Sequence, residues 1–172
     1  MRDDSGKWDR LPAVDAVIDA PGVVIRRVAL VRQVLISGPD VLTQIDGPVV
    51  EWPGVVEAES YALSLRRDRV LWVNGPEMAE GWDAARNWAV SDVSDGYEVV
   101  EIAGAGALAL LCRGAEVSLD QPSRSVARLL FGFGAFLYRA GNVQTYRAHV
   151  GRAQAGAFWT ALEVHLRVSG DV

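Results

Sequence analysis

Four groups of residues are of types that do chemistry, and their spacing decides which chemistry each suits. The first is Gly104-Ala105-Gly106-Ala107-Leu108-Ala109, a G-x-G-x-x-A run. Between a strand and a helix, glycines at that spacing let the main chain approach a dinucleotide pyrophosphate, with a ribose-binding acid expected about 20 residues on. Asp120 lies only 14 residues past Gly106. A helix in that interval has little more than two turns, short for a crossover, so a tight strand-to-helix turn explains the glycines better. The second group is Asp92-Val93-Ser94-Asp95-Gly96. Two carboxylates this close suit acid–base work. Ahead of a strand, however, Asp and Ser commonly bond the nearby backbone and Gly supplies a positive φ. The third group is His149 and His165, in different elements. A metal site needs three or more ligands at close spacing, and no CxxC, HxxxH or HExxH occurs, so both read as partly buried polar residues. The fourth is Cys112, the single cysteine, in the apolar run Leu108-Ala109-Leu110-Leu111-Cys112, read as a buried inert thiol. Neither a G-x-S-x-G elbow nor a P-loop is present. The sequence thus assigns no catalytic, cofactor-binding or metal-binding residue.

Tryptophan is abundant, with six residues. Trp72, Trp82, Trp88 and Trp159 fall in periodic segments and are expected in the core. Trp8 and Trp52 fall in irregular segments, where an exposed indole suits a protein contact.

The elements that must position these groups follow from hydrophobic pattern. Residues 1–20 are acidic and aperiodic, and read as an N-terminal arm. Pro21-Gly22 opens two β-branched runs, Val23 to Val28 and Val31 to Ile36, closed by Ser37-Gly38-Pro39-Asp40 and read as two strands and a turn. Asp40 to Ile45 reads as a short helix, and Glu51 to Glu59 as loop. Ala62 to Leu65 and Val70 to Val73 read as strands around the turn Arg66-Arg67-Asp68-Arg69. Asn74-Gly75-Pro76-Glu77 resembles a helix start, and Met78, Trp82, Ala85 and Trp88 recur at helical intervals. Tyr97 to Ala103 reads as a strand and Gly104 to Cys112 as a short helix. Val126 to Phe131 and Phe133 to Arg139 read as strands, Ala140-Gly141-Asn142 as a tight turn, and Val143 to Val150 as an alternating strand. A helix from about Arg152 to Arg167 carries Ala155, Phe158, Trp159, Leu162 and Leu166 on one stripe. Without regular βαβ alternation, this order predicts an α+β fold of mostly antiparallel sheets packed with helices. Residues 21–172 are expected to form one domain of two similar halves, about 21–88 and 89–172.

Composition narrows the function classes. Of 172 residues, half are apolar and 23% charged, which is globular and not disordered. The net charge of -5 speaks against a nucleic-acid partner. All but Lys7 of the 17 basic residues are arginine, which suits bidentate pairing with anions. One cysteine permits no intrachain disulfide and makes cytoplasm the default location. The polar start, Met1 to Lys7, leads into no signal-length apolar run, and no segment approaches the roughly 20 apolar residues of a membrane span.

Several segments, in order, resemble the gamma subunit of heterotetrameric sarcosine oxidase, a relative of the folate-binding aminomethyltransferases. They are Pro21 to Val28 with Val34 to Gly38; Arg69 to Glu77, similar to "LWLGPDEW"; and Val90 to Gly96 with Val99 to Ala107, similar to "DVSDG…L.GPGA". Cys112 to Asp120 and the helix bearing Phe158-Trp159 also fit, so the likeness covers about residues 21–167. It implies a folate-binding aminomethyltransferase-like fold. It also implies a cytoplasmic complex that oxidatively demethylates sarcosine, or a related N-methyl amine, and passes the one-carbon unit to tetrahydrofolate. FAD, FMN, NAD and tetrahydrofolate are then expected in larger flavoprotein and folate-domain partner subunits, with this chain a non-catalytic small subunit. Aminomethyltransferases carry an essential aspartate in a "GG..DD" hairpin turn; here Phe131 to Tyr138 has no acid, and Ala105 replaces the GPGA proline. A stand-alone folate-binding protein is the alternative.

Overall fold

A computed structural model describes residues 11–167. In chain order the strands and helices are β1 (Val17–Ala20), β2 (Val23–Val28), β3 (Gln33–Ser37), α1 (Val41–Gln44), β4 (Val49–Val50), β5 (Val55–Val56), β6 (Tyr61–Arg66) and β7 (Arg69–Val73). There follow β8 (Gly81–Asp83), β9 (Trp88–Asp92), β10 (Tyr97–Ala103), α2 (Ala107–Gly114), β11 (Ala127–Leu130), β12 (Phe133–Ala140), β13 (Thr145–Gly151) and α3 (Ala155–Arg167). The first sheet runs β1-β2-β10-β13-β12-β11, with β5 also on β12; the second runs β4-β6-β7-β3-β9-β8. Every pairing is antiparallel except β5 with β12 and β4 with β6. The expected α+β class of mostly antiparallel sheets with a few helices is therefore what forms.

Strand alternation sorts the side chains into three layers. Ile25, Ile102, Leu137, Ala148 and Val150 leave the first sheet on the side covered by α2 and α3, where Leu111, Phe158 and Leu162 meet them. On its other face, Tyr138 and Ala140 pack against Tyr61, Leu63, Leu71 and Val73 of the second sheet. The far face of the second sheet buries Val34, Ile36, Val70, Trp72, Trp88 and Val90 beneath α1. The sheets do not follow the expected division at residue 88: β2 lies in the first sheet, and β9 of the second sheet begins there.

The structure corrects three local expectations. The segment 78–88 is a hairpin and not a helix. Gly81 (φ 106°) and Asn87 (φ 59°) adopt left-handed conformations, Asp83 Oδ1 accepts the Ala85 and Arg86 N–H groups, and β9 pairs with β3. Asn74 starts no helix; its Oδ1 accepts the Val31 and Arg32 N–H groups, tying β7 to the approach to β3. The runs 23–28 and 31–36 both hold strands, as expected, and these lie in different sheets: β2 joins β1 and β10, and β3 joins β7 and β9. Part of the expected arm is built in: β1 pairs with β2, Leu11, Ala16 and Ile18 pack on the core, and Arg27 donates to the Pro12 carbonyl. Residues 1–10 of that arm, with Trp8, lie outside the described residues.

Candidate functional site

The glycine-rich turn is closed by the chain itself. Its amides at Gly104, Gly106 and Ala107 donate to the carbonyls of Gln144, Gly22 and Gly104. Gly104 has a φ of 116°, and a Cβ there would collide with the Gly22 carbonyl. The glycines thus serve close packing of this turn on the β1–β2 turn, and the N–H groups a pyrophosphate would need are already engaged. Asp92 and Asp95 are not brought together as a pair. Asp92 Oδ1 accepts the Ser94 N–H at 2.8 Å, and those Ser94 hydrogen bonds hold its carboxyl below the ordinary aspartate value. Asp95 reaches Arg152 at 3.2 Å on the surface.

Cys112 is exposed, contrary to expectation. The buried face of α2 is Ala107, Leu110 and Leu111, and the helical period turns the next residue outward. Partial burial, with Asp120 nearby, still raises its thiol pKa. Trp72, Trp88 and Trp159 are core residues, but Trp82 and Trp52 exchange their expected places. Trp82 is 63% exposed on the edge strand β8, and Trp52 is 2% exposed. The Trp52 indole donates to the Leu119 carbonyl at 2.9 Å and lies under the Arg128 and Arg139 guanidinium groups. The β11–β12 turn is Phe131-Gly132, both at positive φ, as a tight hairpin requires. The Phe131 ring packs against Phe158 and His165. No group of three or more His, Cys, Asp or Glu suited to a metal occurs among the described residues.

A buried polar chain between the sheets was not visible in the sequence. Tyr61 and Tyr138 hydroxyls are 2.6 Å apart, Tyr138 is 3.0 Å from His149 Nε2, and His149 Nδ1 is 2.7 Å from Gln33 Oε1. The Gln33 amide nitrogen donates to the Ser94 and Tyr97 carbonyls, which fixes its oxygen as an acceptor toward His149. His149 therefore carries its proton on Nδ1 and accepts at Nε2 from Tyr138, whose own oxygen accepts from Tyr61. Burial, with Arg147 adding, pushes the His149 pKa down to about 3. Burial, with Tyr61 adding, pushes the Tyr138 phenol well above its ordinary value. Beside this chain Glu101 binds Arg26 and Arg147, at 2.6 and 2.9 Å.

Two clefts flank the second sheet. One, of about 730 Å3, opens between the sheets and is lined by Arg32, Glu57, Glu59, Tyr61, Asn74 and Arg147 among others. The other, of about 720 Å3, lies on the far face beside α1 and the β8–β9 hairpin, and is lined by Trp72, Trp82 and Trp88 with Asp46, Glu77, Glu80 and Asp83. The sequence signal for the polar chain is weak. Alternation alone places Arg147 and His149 on the face of β13 opposite Tyr146 and Ala148, with nothing to say that Tyr61 and Gln33 meet them.

These features define a two-sheet α+β domain with a continuous hydrogen-bonded polar chain between its sheets and clefts at the sheet faces. Among solved structures, the chain is similar to a chain of the heterotetrameric sarcosine oxidase from Corynebacterium sp. U-96 in complex with pyrrole 2-carboxylate. The TM-score is 0.60 at 18% identity, over 87% of this chain and 84% of that one. The likeness establishes a related fold. No family model matches the sequence, and no curated protein matches it either. No described helix is long and apolar enough to cross a membrane.

Proposed function

We propose that this chain is a small, non-catalytic subunit, of the gamma type, in a heteromeric flavoenzyme of the sarcosine oxidase kind. The complex would oxidatively demethylate sarcosine or a related N-methyl amine and pass the one-carbon unit to tetrahydrofolate. The observation that carries the reading is the fold shared with a chain of a sarcosine oxidase heterotetramer over 87% of this chain. The inter-sheet polar chain supports it: its hydroxyls, imidazole and amide all have protein partners. On this reading the fold is folate-binding aminomethyltransferase-like, FAD, FMN, NAD and tetrahydrofolate sit in larger partner subunits, and the complex is cytoplasmic. Co-expression with flavoprotein and folate-domain subunits of a sarcosine-oxidase-type complex tests it. The chain should be colourless alone and should co-elute with the flavin absorbance of its partners; elution as a separate colourless species from an active complex refutes the role.

The inter-sheet cleft favours a second reading, a stand-alone folate-binding protein. Its volume of about 730 Å3 falls in the range of small-ligand sites, and Arg32 and Arg147 line it. Titration with tetrahydrofolate separates the two, since absence of binding at millimolar ligand removes the second.

A further inference from the structure

The cleft on the far face of the second sheet combines aromatic rings with excess negative charge. Trp72, Trp82 and Trp88 line it together with Asp46, Glu77, Glu80 and Asp83, against one guanidinium, Arg86. Arg86 is held by Asp83 at 2.8 Å and stands 5.6 Å from the Trp88 ring centroid. The molecule thus already places a guanidinium on one wall of the cleft. Glu80 accepts the Asp92 N–H. Asp46 and Glu77, both exposed, make no ion pair among the described residues. Trp88 is 2% exposed and its indole N–H is buried, so its ring serves as a wall of the cleft. Trp82 projects from β8, an edge strand of its sheet, and a strand edge is where another chain can pair.

We propose that this cleft docks an extended, arginine-bearing segment of a partner subunit, with the guanidinium seated among Trp72, Trp82 and the carboxylates of Asp46 and Glu77. Arginine suits the site because its planar cation both stacks on indole and bonds carboxylates. The inference rests on the reading that this chain works within a heteromeric complex.

The full chain is titrated with the tripeptide Ac-Ala-Arg-Ala-NH2, with Ac-Ala-Glu-Ala-NH2 and with tetramethylammonium, following tryptophan fluorescence. The arginine peptide is expected to saturate below about 10 mM, at least tenfold tighter than the glutamate peptide, and to weaken with salt. The double variant Asp46→Asn, Glu77→Gln should lose about tenfold, and Trp82→Ala a similar factor. All three side chains are exposed, so thermal unfolding should stay near wild type. Equal binding of the glutamate peptide, tighter binding of tetramethylammonium, or unchanged binding by the double variant overturns the proposal. Co-purification with the partner subunits separates the two ideas. Wild type without partners sinks the subunit reading and leaves the titration to judge the cleft. Equal retention of partners by wild type and by the combined Asp46→Asn, Glu77→Gln, Trp82→Ala variant sinks the cleft.

Discussion

Lowering the pH from 7 to 5 should destabilise this protein chiefly through His149. Burial takes its pKa from 6.5 to about 3, so between those values the unfolded chain binds a proton that the folded chain does not. Stability therefore rises with pH across that window and is lost as pH falls through it. At pH 5 the solution is about 1.5 pH units below the unfolded pKa of 6.5, which corresponds to about 2 kcal/mol. For a domain of this size that is roughly 4–8 °C in melting temperature. Urea unfolding at the two pH values measures it, and His149→Gln supplies the control. A glutamine there can donate to Gln33 and accept from Tyr138 without titrating, so carboxylate contributions cancel in the comparison. The expected outcome is a wild-type loss about 2 kcal/mol larger than that of the variant. If His149→Gln fails to fold, NMR of the wild-type imidazole answers the same question, because His149 should remain neutral, with Nδ1 protonated, at pH 5. Equal losses in both proteins, or an imidazole midpoint near 6.5, would refute the assignment.

Three further outcomes follow from the packing. Tyr138→Phe strips partners from the Tyr61 hydroxyl and His149 Nε2, both buried, and should cost about 2–4 kcal/mol in chemical denaturation. Gly104→Ala should cost roughly 3 kcal/mol, because a left-handed φ is compounded by collision with the Gly22 carbonyl; Gly141→Ala, at φ 76° with open space around it, should cost only about 1 kcal/mol. Cys112, exposed but with a raised thiol pKa, should alkylate with iodoacetamide at pH 8 more slowly than free cysteine, and a rate at or above that of the free amino acid would contradict it.

Where a strand has one face in each layer, its sequence declared it. β6, β7 and β12 fall where alternation and apolar runs predict, because each contributes to two layers at once. Helix α3 was legible for the same reason, since Phe158, Trp159 and Leu162 form one stripe against the first sheet. The 78–88 segment misled because Met78, Trp82, Ala85 and Trp88 happen to fall at helical spacing, while Gly81 and Asn87, at left-handed φ, shape a hairpin that gains pairing with β3. Trp52 misled because its neighbours are irregular, yet a bridge to Ser123 and a bond to Leu119 carry it into the core. The polar chain was illegible for a different reason. Its four side chains come from four strands, and Gln33 and His149 are 116 residues apart, so local pattern holds no trace of their meeting.

The contrast between interior and surface explains why the proposed role is assembly. Reactive sites need a polar group with unused bonding capacity facing a space that substrate can enter. In the inter-sheet chain the donors run one way, from Tyr61 through Tyr138 and His149 to Gln33, and end on two main-chain carbonyls. His149 is neutral and its imidazole is fully bonded, so neither nitrogen has a free valence for a substrate. Glu101 is likewise held between two guanidinium groups. At the far face of the second sheet, Asp46, Glu77 and the exposed Trp82 line an open cleft. Charged and aromatic groups left at an open sheet edge suit recognition of another chain, because binding can supply there the partners that the fold itself does not.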